Sequence, residues 1–241
     1  MIRSAWVVFN LFVISIPLCT YVILLSFIAP RHPALESVPR LWCRWLLRVS
    51  GVTVRLQGIE HITLDRPQVV VPNHVSWYDV LAIGGHMPKR YRFIAKKELA
   101  RVPLWGRAWQ AAGHIPVDRA NRQIAVESLD HAGRIVRHDG SAIVIFPEGT
   151  RSPTGELLPF RKGAFMLALH NGFDIVPTAV TGSRDVLPKS NWRVRPGRII
   201  VRFGSPISTV GCTVEDRDTL IARTQADMQA MIAAGAPHSR D

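Results

Sequence analysis

The chain has 241 residues, enough for one domain of ordinary size with a buried core and an appendage, and its 47% apolar content without a long polar tract excludes global disorder. Thirty basic against 18 acidic residues give a net charge of +12 and a pI near 10.7, so the partner surface is negative: anionic lipid headgroups or nucleic acid. Three widely separated cysteines, Cys19, Cys43 and Cys212, lack C-x-x-C spacing, which argues against a disulfide framework or a zinc site and fits a reducing compartment.

From Ser4 to Pro30 no side chain is charged across 27 residues. As a helix this stretch would rise roughly 40 Å, enough to cross a hydrocarbon core of about 30 Å. Asn10, Ser15, Pro17 and Thr20 interrupt it, and Pro17 is expected to kink or divide it. Two forms of anchor stay open, a true span and a helix pair dipping into one leaflet. A signal peptide fits less well, because the apolar region is long and no small-x-small site follows cleanly. Arg31, Arg40, Arg44 and Arg48 follow the stretch against Arg3 alone before it, so the positive-inside rule puts the globular part on the cytoplasmic side of the cell membrane. Residues 41–49 mix Trp and Leu with Arg at helical spacing. They read either as an interfacial helix or as an ordinary helix packed on the domain. The organisation expected is thus an anchor and interfacial helix over 1–50 and an α/β domain over 51–241.

Within that domain, Val52–Gln57 and Val69–Val71 read as strands. A helix follows from Ser76 to about Gly84, stopped by Gly84-Gly85. Tyr91–Ala95 is the next strand, and 98–112 a helix broken or bent near Pro103 and Gly106. Asn121 to about His138 is helical, Ala142–Phe146 an apolar strand, and Lys162–His170 a helix closed by Asn171-Gly172. Ile175–Thr181 and Ile199–Phe203 are strands around a long loop, Ser183–Gly197, with two prolines and four basic residues. The last helix runs from about Val214 to Ala233 behind a Thr213-x-x-Asp216 capping box. Such alternation predicts an α/β fold with a mostly parallel sheet flanked by helices.

Two blocks carry chemistry: Asn73-His74-Val75-Ser76-Trp77-Tyr78-Asp79 and Phe146-Pro147-Glu148-Gly149-Thr150-Arg151-Ser152. On a continuous helix His74 and Asp79 would point roughly 140° apart. They can meet if Ser76-x-x-Asp79 is a capping box that leaves His74 before the helix and Asp79 in its first turn. Asp79 either serves only as the cap or also holds one tautomer of His74 and stabilises its imidazolium, leaving the other ring nitrogen to accept a proton. No G-x-S-x-G elbow supplies a nucleophile, so that role passes to the substrate's own hydroxyl. The other eight histidines are expected to be structural. In the second block Arg151 is the best phosphate ligand, because its planar fork can pair bidentately.

These blocks resemble those of the glycerolipid acyltransferase family, and within it the 1-acylglycerol-3-phosphate acyltransferases. Gly113-His114-Ile115-Pro116-Val117-Asp118-Arg119, Ile175–Val180 and Ala95-Lys96-Lys97-Glu98-Leu99 fall in the family's order, so the resemblance spans about residues 50–205. His114-Ile115-Pro116 departs from it, since larger apolar residues are usual there. The resemblance implies acyl transfer from acyl-CoA or acyl-carrier protein to the free hydroxyl of lysophosphatidic acid, giving phosphatidic acid for phospholipid synthesis, with no metal and no cofactor beyond the donor. It implies His74 as base, Asp79 as its orienting partner, and Glu148, Gly149, Thr150 and Arg151 on the glycerol phosphate, with Arg119 and Lys96 or Lys97 nearby. For Arg119 a surface ion pair, and for the lysines a solvated face, stay open beside that role. Competing readings are an acyltransferase with another acceptor, such as glycerol-3-phosphate or a lyso-aminolipid, and a non-catalytic module on anionic membranes. Nucleic acid is disfavoured, because no such motif is present and the basic residues are dispersed.

Overall fold

The computed structural model describes residues 1–118, 120 and 122–235, the side chains at 122 and 125 excepted. Seven strands, β1 (Val52–Gln57), β2 (Gln68–Pro72), β3 (Tyr91–Lys96), β4 (Ile115–Val117), β5 (Ala142–Ile145), β6 (Asp174–Thr181) and β7 (Gly197–Phe203), form one sheet. Their order is β1-β7-β6-β2-β5-β3-β4, and every pairing is parallel except β6 with β7. The mostly parallel α/β fold is therefore as expected, with one antiparallel seam.

Strand alternation assigns the two faces of the sheet. Val70 of β2 and Ala142 and Val144 of β5 point into one core, with Tyr78, Ala82 and Ile83. Val69, Val71, Ile143 and Ile145 point into the other, with Ala132, Val136, Phe165 and Met228. The first face is covered by α2 (Ala34–Val49) and α3 (Trp77–His86), together with Trp109 of α4 (Trp105–Ala111). The second is covered by α5 (Arg122–Asp139), α6 (Gly163–Asn171) and α8 (Arg217–Gly235). Both faces are buried, which is why the middle of β2, Val69–Val71, is apolar at every position.

Two local expectations are corrected, one break is located and one further strand is found. Gly84-Gly85 does not stop α3, which continues to His86. A Cβ at these positions would lie 3.1 Å from Cys43 Sγ and 3.2 Å from Arg44 Cγ, so the pair serves close approach of α2. The break expected near Pro103 within residues 98–112 is present: a 3₁₀ turn, Leu99–Arg101, is separated from α4 at Leu104, with φ 60°. β4 was not anticipated, because Pro116 sits in its centre; the strand lies at the sheet's edge, where proline is tolerated. The long loop opens with a one-turn helix, α7 (Ser183–Val186).

The apolar N-terminal segment is a single helix, α1 (Ile2–Ile28), that runs through Pro17 without dividing. It is long and apolar enough to cross a membrane, and most of its surface is exposed. It lies antiparallel along α2: Trp45 Nε1 donates to Asn10 Oδ1 (3.3 Å) and Trp42 Nε1 to Ser15 Oγ (2.9 Å). Cys19 and Val22 pack with Leu35 of α2 and Ala108 of α4. Residues 41–49 thus belong to a helix packed on the domain, with Leu46 and Leu47 buried and Leu41 exposed. Arg40 and Arg44 reach the far end of α3, donating to Met87 O (2.5 Å) and Gly85 O (2.6 Å). These bonds satisfy carbonyls at or just beyond the last turn of α3 and place positive charge at the helix C-terminus.

Candidate active site

β2 and β5 are adjacent and parallel, Gln68 opposite Ala142 and Val70 opposite Val144. The chain therefore leaves both strands at the same sheet edge, and blocks some seventy residues apart in sequence meet there. β3 pairs parallel with β5 and β4 with β3, so Lys96-Lys97 and Asp118 leave at that edge too. Asn73 continues the β2–β6 seam past Pro72. Its side chain accepts from Val180 N (2.7 Å) and donates to Val180 O (3.1 Å), fixing the backbone just before the histidine.

The second block holds His74 through both of its backbone groups. His74 N donates to Glu148 Oε1 (2.7 Å), and His74 O accepts from Ser152 N (2.7 Å). Its ring stacks on Phe146 at 4.1 Å between centroids. Nδ1 lies 2.9 Å from Asp79 Oδ2, whose side chain is fully buried, while the His74 side chain keeps 13% exposure. The same Asp79 oxygen accepts from Val75 N (2.7 Å) and Ser76 N (2.8 Å). Ser76 Oγ accepts from Tyr78 N (3.2 Å) and completes the capping box. The cap is thus the device that brings the pair together, since it turns His74 off the helix axis above the first turn. With Nδ1 held by the carboxylate, no described residue bonds Nε2. That atom is the one free to take a proton.

Glu148 is 3% exposed and also accepts from Leu158 N (3.0 Å) through its other oxygen. Both carboxyl oxygens thus face backbone donors, which makes this residue a strut between loops. Burial pushes its pKa up to about 7, against the pull of its two backbone bonds, and Asp79 nearby adds to the rise. A carboxyl raised in this way gives stability below its unfolded value that is lost as pH rises through the folded one. The stability advantage of the native chain over Glu148→Gln is accordingly expected to shrink by up to about 3 kcal/mol between pH 4.5 and 7, read from paired unfolding curves in detergent. A pH-independent difference would put this carboxyl back in the ordinary range.

Gly149 has φ 72° and donates to Phe146 O (3.2 Å), closing the turn that presents Thr150 and Arg151. Thr150 is exposed. The Arg151 guanidinium rests 4.9 Å over the Trp77 ring, and its carbonyl accepts from Lys189 Nζ (2.6 Å). Lys97 forms an ion pair with Asp118, whereas Lys96 is exposed. Arg119 lies outside the described residues. Sequence reasoning missed Phe146 as the histidine's stacking partner and Trp77 as the rest for Arg151. Both stood inside the motif blocks, but nothing in their spacing distinguishes a site aromatic from a core one.

His114 is buried and structural. Its Nδ1 accepts from Phe93 N (3.1 Å), and burial, with Arg92 and Arg40 nearby, holds its pKa down to about 3. It packs against Tyr91, Phe93 and Trp109.

Comparison with known proteins follows this geometry. The model of a family described as acyltransferase matches residues 53–181, from β1 to the end of β6. A 1-acyl-sn-glycerol-3-phosphate acyltransferase of Cocos nucifera is 39% identical over 69% of this chain and 53% of its own length. Its counterpart from Limnanthes douglasii is 36% identical, and the chain covers 61% of it, so the chain spans between half and two thirds of these plant relatives. The human 1-acyl-sn-glycerol-3-phosphate acyltransferase alpha is 31% identical over 93% of this chain and 77% of its own length. The crystal structure of the 1-acyl-sn-glycerophosphate acyltransferase of Thermotoga maritima superposes with a TM-score of 0.79, at 26% identity over 99% of this chain and 97% of that one. By the extent of the matched domain and the identity to full-length relatives, the chain belongs to the acyltransferase family.

Proposed function

We propose that this protein transfers an acyl chain from a thioester, acyl-CoA or acyl-carrier protein, to the free hydroxyl of 1-acylglycerol-3-phosphate, forming phosphatidic acid for phospholipid synthesis. The observation that carries the reading is the 2.9 Å His74–Asp79 pair, locked by the loop that presents Arg151. His74 Nε2 takes the proton of the acceptor hydroxyl as its oxygen attacks the thioester carbonyl. The imidazolium, steadied by Asp79, returns that proton to the departing thiolate when the tetrahedral intermediate collapses. No metal and no cofactor besides the acyl donor enters this scheme. Glu148 and Gly149 shape the loop, Thr150 and Arg151 face the glycerol phosphate, Lys96 adds positive charge at its rim, and Arg119 is proposed as a further cation for the phosphate.

The membrane reading belongs to the same proposal. α1 is bound to the domain from Arg3, which donates to Ser50 O (3.1 Å), to its contacts with α4. A perpendicular crossing would carry the arginines of α2 into hydrocarbon, which favours a helix pair lying in the cytoplasmic leaflet of the cell membrane among anionic phospholipids.

Release of labelled acyl product from purified protein, tested over a panel of lysolipid acceptors and both donors, decides the reading. Turnover confined to glycerol-3-phosphate or a lyso-aminolipid would contradict the acceptor assignment. Arg151→Ala is expected to raise the acceptor KM by about 10- to 100-fold, as loss of a charge-assisted phosphate contact worth about 1.5–3 kcal/mol implies, with kcat less affected. An unchanged acceptor KM would move the phosphate elsewhere.

A further inference from the structure

The basic loop after α7 has no part in the chemistry above. From Lys189 to Arg193 every residue is exposed, and the Trp192 indole stands 58% open. The loop is nevertheless tied down at both ends. Leu187 O accepts from Ser76 Oγ (2.7 Å), the residue that caps the catalytic helix, and Lys189 Nζ donates to Arg151 O (2.6 Å). At the other end Val194 N donates to Ser4 Oγ (3.0 Å), in the first turn of α1. Pro196 and the Arg3 guanidinium converge there on the space above Gly51.

The loop is therefore a strap between the apolar helix and the site. Its chemistry is that of a bilayer surface. Trp192 is followed by Arg193 and Arg195, and neither arginine has an acidic partner among the described residues. The adjoining end of α1 exposes Trp6 and Phe9, stacked at 5.9 Å. Indoles favour headgroup depth, and arginines beside them favour anionic lipid.

We infer that Lys189–Arg195 is a second membrane contact, in which Arg193 and Arg195 bind anionic phospholipid headgroups and Trp192 enters the interface. It rests on the reading that α1 lies in the membrane. Its consequence is geometric: the segment that touches the bilayer holds the backbone of Arg151 through Lys189, and Leu187 just before it holds the cap of the catalytic helix, so the site opens at the level from which a membrane-borne acceptor arrives.

The test uses the full chain, moved from detergent onto vesicles of phosphatidylcholine alone or mixed with phosphatidylglycerol. Native protein should partition preferentially to the anionic vesicles. Each interfacial cation contributes about fivefold, so Arg193→Glu with Arg195→Glu should cut that preference by at least about twentyfold. Binding to neutral vesicles, which α1 sustains, should stay unchanged. Brominated lipid should quench native fluorescence more than that of Trp192→Phe.

An undiminished anionic preference, or equal quenching with and without Trp192, overturns the strap while leaving the anchor intact. Absence of binding to either vesicle overturns both. If the double variant instead loses only transfer from acyl-carrier protein, the loop docks that acidic donor and the proposal fails.

Discussion

Replacing His74 by alanine is expected to lower kcat by about 10²- to 10⁴-fold or more, with the acceptor KM nearly unchanged. The range follows from what a positioned base contributes when donor and acceptor remain bound. Arg151 and the loop around it are untouched by the substitution, because His74 is held to that loop through its backbone N and O. The ring's removal deletes the stack on Phe146 but no buried hydrogen bond except the one to Asp79. Circular dichroism and melting should thus report a folded protein, and initial rates with labelled donor should report the loss. A His74→Ala enzyme within tenfold of native kcat would mean that the proton leaves by another route.

Asp79→Asn should be nearly as damaging, by about 10³- to 10⁴-fold in kcat, for a different reason. The amide keeps the shape, and its oxygen can still accept from Val75 N and Ser76 N, as the carboxylate does. What it lacks is the negative charge that stabilises the imidazolium. If its NH₂ turns to His74, it also imposes the wrong tautomer. Asp79→Ala should add a folding defect of about 1 kcal/mol or more, because the capping box and two buried N–H groups lose their acceptor. Comparing the two variants separates the roles of cap and orienter, which one carboxylate combines. Near-native turnover in Asp79→Asn would leave the cap as the residue's whole contribution.

The sequence exposed what is encoded by local spacing. Ser76-x-x-Asp79 is a cap signature, and from it the meeting of His74 with Asp79 could be anticipated before any fold was known. The apolar runs Val69–Val71 and Ala142–Phe146 were likewise legible as strands. What escaped were contacts set by the sheet. Glu148 resembled a ligand-binding acid in the motif, yet its partners, His74 N and Leu158 N, come from a loop after a neighbouring strand and from the chain ten residues on. No periodicity marks such a pairing.

Gly84-Gly85 misled for a related reason. A glycine pair signals a helix stop locally, but here α2 approaches so closely that a Cβ would press on Cys43 and Arg44. Pro116 disguised β4 because proline's exclusion from strands is relaxed at an edge, and edge position is a property of the assembled sheet. The long loop looked featureless because its two anchor points, Ser4 and Arg151, are distant along the chain.

The most direct measurement is the mass of the intact protein after rapid mixing with a labelled acyl thioester, first alone and then chased with 1-acylglycerol-3-phosphate. With the acceptor's own hydroxyl as nucleophile, the protein mass stays unmodified and label appears only in phosphatidic acid after the chase. A stoichiometric acyl adduct on a serine, threonine or cysteine, transferred to the acceptor at a competent rate, would contradict the account.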